Sequence, residues 1–130
     1  MEITVTLSGG KKIDAQIGKH VVKTDQPVKE GGEGTAPAPF AYCLVSLGTC
    51  AAFYAFKYLE SRDLPTEGLK LIQKHEFDPK TKKLSKVVQE IELPPGLDEK
   101  HHKPIVRSAA SCAVKKLIEN PPDFDIQIKS

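Results

Sequence analysis

The chain has 130 residues, 39% hydrophobic and 28% charged, the composition of one soluble domain large enough to bury a single core without staples. Nineteen Lys and Arg against seventeen Asp and Glu leave a formal charge of +2, which excludes an electrostatic nucleic-acid binder. The three cysteines, Cys43, Cys50 and Cys112, are odd in number and contain no CxxC pair. That excludes a secreted disulfide scaffold and a zinc module, and it places the chain in a reducing, cytoplasmic setting.

The opening MEITVTLSGGKK carries an acid and alternating residues instead of an apolar run, so no signal peptide is expected. Residues 2–8 alternate with Ile3, Val5 and Leu7 on one side, as in a half-buried strand. Gly9-Gly10 turns the chain into a second strand over Lys12–Ile17, and Gly18-Lys19 turns it into a third over His20–Thr24. Residues 25–39, DQPVKEGGEGTAPAP, hold three prolines and three glycines and predict a long loop.

A long helix is predicted from Pro39 to Arg62, since proline suits a first helical turn. Phe40, Cys43, Leu44, Leu47, Cys50, Ala51, Tyr54 and Tyr58 recur at spacings of three and four. Val45, Ala52, Phe53 and Ala55 make the other face apolar too, which predicts a helix buried centrally or between subunits. The uncharged stretch from Gly34 to Phe56 contains Pro37, Pro39, Ser46, Gly48 and Thr49, and falls short of the roughly 20 apolar residues of a bilayer span. No membrane association is expected.

Strands over Gly68–Phe77 and Leu84–Leu93 follow, joined by DPKTKK, and Pro94-Pro95-Gly96 ends the pair. A second helix is expected over Asp98–Glu119, its main body starting near Pro104, with Cys112 near its middle. Asn120-Pro121-Pro122 stops it, and the alternation of Phe124, Ile126 and Ile128 predicts a last strand. The order βββ-α-ββ-α-β, without repeats or a domain boundary, makes residues 1–130 one α+β domain with antiparallel sheets.

The thiols are the residues with chemistry to offer, although cysteine usually behaves as a small buried hydrophobe. Cys43 and Cys50, seven apart on one helix, lie about 10 Å apart along its axis, beyond disulfide reach. An internal redox pair therefore joins Cys112 to one of them. Uncharged neighbours of Cys50 (Leu47, Thr49, Ala51, Tyr54) predict a thiol raised by burial unless a cation arrives from elsewhere. Lys115 and Lys116 would favour the Cys112 thiolate modestly. His20, His75, His101 and His102 lack HxxxH or HExxH spacing, so no metal site is expected. The Gly31–Gly34 cluster lacks a following GK(S/T) and makes no phosphate cradle.

The run DQPVKEGGEGTAPAPFAYCLVSLGTCAAFYAFKYLESRDLP resembles the OsmC/Ohr family, the osmotically inducible and organic hydroperoxide resistance proteins. There, a Gly-rich loop and a small-Pro motif lead into a long central helix carrying an LG(S/T)C motif. RSAASCAVKKLIEN resembles the family's second cysteine helix, sixty-two residues beyond Cys50, and the likeness covers essentially the whole chain. The resemblance implies an OsmC-like fold, an intertwined homodimer, and a cysteine-based hydroperoxide reductase in oxidative stress defence that needs no cofactor. Cys50 would attack an organic hydroperoxide, Cys112 would resolve the product as a disulfide, and an external dithiol, often lipoyl-type, would reduce it. Phe40, Leu47 and Tyr54 would line the substrate pocket. Cys43 matches no family position and is expected in the core.

Two positions depart from the family. Its members hold the thiolate with an arginine from the N-terminal strands and a glutamate opening the central helix. Here Phe40 stands at the glutamate's place, and Lys11 or Lys12 is nearest the arginine's, the only arginines being Arg62 and Arg107. Lysine supplies charge without a bidentate fork, which makes this a divergent branch. These departures motivate an alternative: a non-enzymatic dimeric binding protein for a small hydrophobic or thiol-containing ligand, with redox-sensitive cysteines.

Overall fold

The computed structural model describes residues 1–129, which form two compact units, Met1–Val45 and the segment from Ser46 onward. In the N-terminal unit, strands β1 (Ile3–Gly9), β2 (Lys12–Ile17) and β3 (His20–Thr24) form an antiparallel meander in that order. Ile3 pairs with Ile17, and Ile17 with His20. The two connections require left-handed backbone, supplied by Gly10 at φ 57° and Gly18 at φ 56°.

Residues 25–37 are more ordered than their composition suggests. A 3₁₀ turn spans Val28–Glu30, and the 1%-exposed carboxylate of Asp25 organises the loop around itself. It accepts hydrogen bonds from the backbone N–H of Gln26 (2.7 Å), Glu33 (3.3 Å) and Thr35 (3.1 Å), and from the Thr35 hydroxyl (2.8 Å). A buried charge persists only when satisfied in this way. Pro37 closes the loop by accepting from the Asp25 N–H at 3.3 Å.

Helix α1 (Pro39–Glu60) starts in the first unit and continues into the second. In the second unit, β4 (Lys70–Phe77) and β5 (Leu84–Glu92) form an antiparallel hairpin with Gln73 opposite Gln89. A 3₁₀ turn over Glu99–His101 leads into α2 (His102–Ala110), and α3 (Ala113–Glu119) follows. Asp98 caps the turn by accepting from the Lys100 N–H at 2.8 Å. The core joins Ala51, Ala55, Tyr58 and Leu59 of α1 to Ile105 and Ala109 of α2 and to Cys112. Leu59 and Ile105 are fully buried, each stabilising by about 2 to 3 kcal/mol through the apolar surface removed from water.

Five expectations are corrected. The second helix is not continuous: it breaks at Ser111, so Cys112 lies at extended dihedrals (φ −52°, ψ 128°) as the N-cap of α3 instead of mid-helix. Residues 121–129 form no strand, with Phe124, Ile126 and Ile128 83%, 95% and 94% exposed. Alternation supplies a face, but a strand also needs a partner, and no strand among the described residues pairs with this segment.

Within its own chain helix α1 is not central: it buries one face, through Ala51, Ala55 and Leu59, while Phe53 is more than half exposed on another. The 22-residue helix is in fact long and apolar enough to cross a membrane by length and composition alone, because Ser46, Gly48 and Thr49 interrupt its apolar run without charge. Cys43 is exposed on α1 instead of in the core.

Candidate functional site: a thiol pair beside a lined cavity

Cys50 and Cys112 meet. Cys50 is half-buried in the middle of α1, and Cys112 is 1% exposed at the break between α2 and α3. The two side chains are hydrogen-bonded to each other. The break is what makes the meeting productive. It turns the first amides of α3, which have no intrahelical partner, toward Cys50, whose sulfur accepts from the backbone N–H of Val114 and of Ala113.

The two thiols are driven apart in acidity. The Val114 N–H holds the Cys50 thiol below its ordinary value of 9.0, helped by the Cys112 S–H and the Ala113 N–H against an opposing desolvation. Burial pushes Cys112 above 9.0, and its hydrogen bond to the Cys50 sulfur adds to that, while the Lys115 backbone N–H opposes it. These directions reverse the expectation from sequence. Cys50 is aided by backbone amides with no cation, and Lys115 acts on Cys112 through its amide N–H, too weakly to offset burial. The arrangement pairs an activated sulfur with a proton-bearing neighbour, as an attacking and a resolving thiol require.

Beside Cys112 lies a cavity of about 250 Å³. Leu47, Ala51, Leu84, Val87 and Ile118 make it largely apolar, and Gln89, Lys115 and Glu119 add polar groups. Lys115 and Glu119 pair with each other at 3.7 Å, one turn apart on α3. Gln89 Nε2 donates to the Leu47 carbonyl at 3.3 Å and to Gln73 Oε1 at 2.9 Å, tying the hairpin to α1. Gln73 in turn lies 2.7 Å from His75 Nε2. Gly48 leaves room for this amide pair, since a Cβ there would come within 3.0 Å of Gln73 Oε1.

The remaining expected residues are placed as follows. Leu47 lines the cavity. Tyr54 packs against the core and meets Phe53 edge-on at 6.0 Å. Phe40, 56% exposed, and Lys11 and Lys12 belong to the N-terminal unit. There Lys12 is bound at 2.7 Å by Glu33, which raises its pKa. Among the described residues, no group of three His, Cys, Asp or Glu could hold a metal ion.

The backbone donors of Ala113 and Val114 were invisible in the sequence, because neither glycine nor proline marks the break that aims them. Gln89 did leave a signal. Val87, Gln89 and Ile91 alternate on one face of β5 and Leu71, Gln73 and His75 on one face of β4, each with a glutamine at an inward position.

Residues 32–127 match the family model described as OsmC-like protein. The chain belongs to this family. No curated protein matches the OsmC-like chain by sequence. Among solved structures, it is similar to a protein from Psychrobacter arcticus assigned to the osmotic stress and detoxification response, with a TM-score of 0.75 and 23% identity. That likeness covers 88% of this chain and 85% of the other. An OsmC-like protein from Mycoplasma pneumoniae matches with a TM-score of 0.73 at 15% identity, covering 92% and 87%. The organic hydroperoxide resistance protein OsmC of Legionella pneumophila matches with a TM-score of 0.61 at 18% identity, covering 91% and 89%. At these identities the likeness is one of fold, and the OsmC-like α+β architecture of antiparallel three- and two-stranded sheets with helices is shared by a divergent sequence.

Proposed function

We propose that this OsmC-like chain is a thiol-dependent peroxidase acting on organic hydroperoxides in the cytoplasm. The observation that carries the reading is the Cys50–Cys112 pair, its acidity divided so that Cys50 is held below the ordinary 9.0 and Cys112 is pushed above it. The Cys50 thiolate attacks the terminal oxygen of the hydroperoxide, the O–O bond breaks, and an alcohol leaves once its alkoxide takes a proton. The Cys50 sulfenic acid then condenses with the Cys112 thiol, forming the disulfide and releasing water. A dithiol of the lipoyl type returns both sulfurs to thiols and is itself oxidised to a disulfide. The apolar cavity beside Cys112, with Leu47 on its wall, takes the organic group. Tyr54 and Phe40 are assigned to the wider pocket, and Lys11 or Lys12 to assisting the thiolate. With Lys12 bound by Glu33, Lys11 is the first to substitute.

The working unit of the proposal is an intertwined homodimer. The exposed alternation of Phe124, Ile126 and Ile128, a strand pattern without a partner strand among the described residues, supports it.

Titrating thiols before and after one equivalent of cumene hydroperoxide tests the reading. Wild type should lose both site thiols as a disulfide that a dithiol reverses, and Cys50→Ser should form none. No thiol loss in wild type would overturn it. A second reading, a binding protein for a small hydrophobic ligand, is favoured by the five apolar side chains lining the cavity. It would be indicated by saturable ligand binding that persists in Cys50→Ser without hydroperoxide turnover.

A further inference from the structure

On α1 and α2 a second feature stands that the thiol chemistry does not use. Both arginines of the chain line one open groove of about 360 Å³, together with Tyr58, Pro104, Ser108 and Ser111. The topology explains the convergence. Pro104, Arg107, Ser108 and Ser111 fall at spacings of three, four and seven along one face of α2 and its cap, and Tyr58 and Arg62 stand one turn apart at the end of α1.

The Arg62 guanidinium is held in place before any ligand arrives. Its carbon sits 3.7 Å over the Tyr58 ring, and its Nη1 donates to the Tyr58 carbonyl at 3.2 Å and to the Ser61 hydroxyl at 3.2 Å. Tyr58 is fixed in turn by its hydroxyl at 2.9 Å from His101 Nδ1 and by the edge of the His101 ring at 5.9 Å. The Ser111 hydroxyl at the groove's edge donates its proton to the Ser108 carbonyl at 2.6 Å. No carboxylate lines the groove, and none of the ion pairs among the described residues involves either arginine.

Two full positive charges, one of them stacked and pre-oriented, with Ser108 beside them and no counter-charge, are complementary to an anion of charge two with several oxygens. A single carboxylate would leave one guanidinium unmatched. We propose that this groove binds the phosphate group of a small phosphorylated molecule. Its size suits a phosphate with a short organic substituent. The proposal does not depend on the peroxidase reading, because neither thiol lines the groove.

The test is phosphorus NMR of inorganic phosphate and of glycerol phosphate titrated with the full-length protein at constant ionic strength, with acetate in competition. Saturable binding is expected, with phosphate preferred over acetate by about tenfold. Arg107→Gln should weaken it about tenfold, and Arg62→Lys should weaken it despite keeping the charge, because the stacked fork is lost. Both side chains are exposed, so the variants should fold, which circular dichroism checks. Cys50→Ser should bind as wild type does. Phosphate held no better than acetate, or equally well by Arg107→Gln, would overturn the proposal. So would co-flotation with phosphatidate vesicles that inorganic phosphate fails to compete, since the ligand would then be a lipid surface.

Discussion

The backbone N–H of Val114 is hydrogen-bonded to the sulfur of Cys50, two residues separated by most of the second half of the chain. This contact sets the acidity of the candidate nucleophile without any charged side chain. The break after Ala110 permits it, because a continuous helix through Cys112 would have spent that N–H on its own i−4 carbonyl.

The thiol acidity is therefore sensitive to single donors. Alkylation of Cys50 by iodoacetamide, followed against pH, should show a midpoint below 9.0. Cys112→Ala removes the S–H donor and should move that midpoint up. Ala113→Pro should also raise it, while leaving α3 intact. Proline is tolerated at a first helical position, and Cys112 before it already has the extended dihedrals that proline prefers. A midpoint unchanged in both variants would show that these hydrogen bonds do not set the acidity.

Asp25 makes the N-terminal loop acid-labile. Four hydrogen bonds, those from Thr35 foremost, hold its carboxyl at about 2 against an ordinary 3.8. The folded state thus binds fewer protons than the unfolded state between these values. The stabilisation is fully present above pH 3.8 and is lost as pH falls through about 2. Urea midpoints should drop across that window in wild type. Asp25→Asn should be less stable than wild type at pH 7 and converge with it at the acid end.

Gly32 is needed in the same loop for space. A Cβ there would lie 2.0 Å from the Gln26 carbonyl oxygen, a backbone atom that cannot step aside alone. Gly32→Ala should lower the unfolding midpoint, and protection of the Gly34 amide, which donates to that carbonyl at 3.0 Å, should fall in hydrogen exchange.

The cavity wall predicts a size dependence. Val87 faces the cavity, and Val87→Phe would fill part of its 250 Å³. KM for cumene hydroperoxide should rise several-fold, with the Cys50 alkylation rate unchanged. Equal effects on cumene hydroperoxide and hydrogen peroxide would mean that the organic group does not sit there.

In the core, Leu59→Ala removes a fully buried side chain packed with Ile105 and should cost about 2 to 5 kcal/mol in denaturant unfolding. A loss below 1 kcal/mol would mean that the site collapses around the cavity.

Local pattern was enough to find most elements. Alternation and glycine turns located β1 to β3, the DPKTKK connection and its Pro-Pro-Gly stop located β4 and β5, and proline with three–four spacing located α1, because these elements follow from short-range sterics and one apolar face. The same logic failed at Phe124, Ile126 and Ile128, where the alternating segment pairs with no described strand. It failed again at Ser111, where no glycine or proline marks the break. The motif residues Cys50 and Cys112 were legible as a candidate pair.

The sequence by itself determined which thiols are available, which faces are apolar, and the family to which the chain belongs. The tertiary structure alone decided that the two thiols touch, that Cys50 is the more acidic, and that Arg62 and Arg107 share a groove. The physical reason is the same in each case. Acidity and charge convergence depend on where backbone amides and side chains point after α1, α2 and α3 have packed, and residues so far apart in the chain carry no local signal of that meeting.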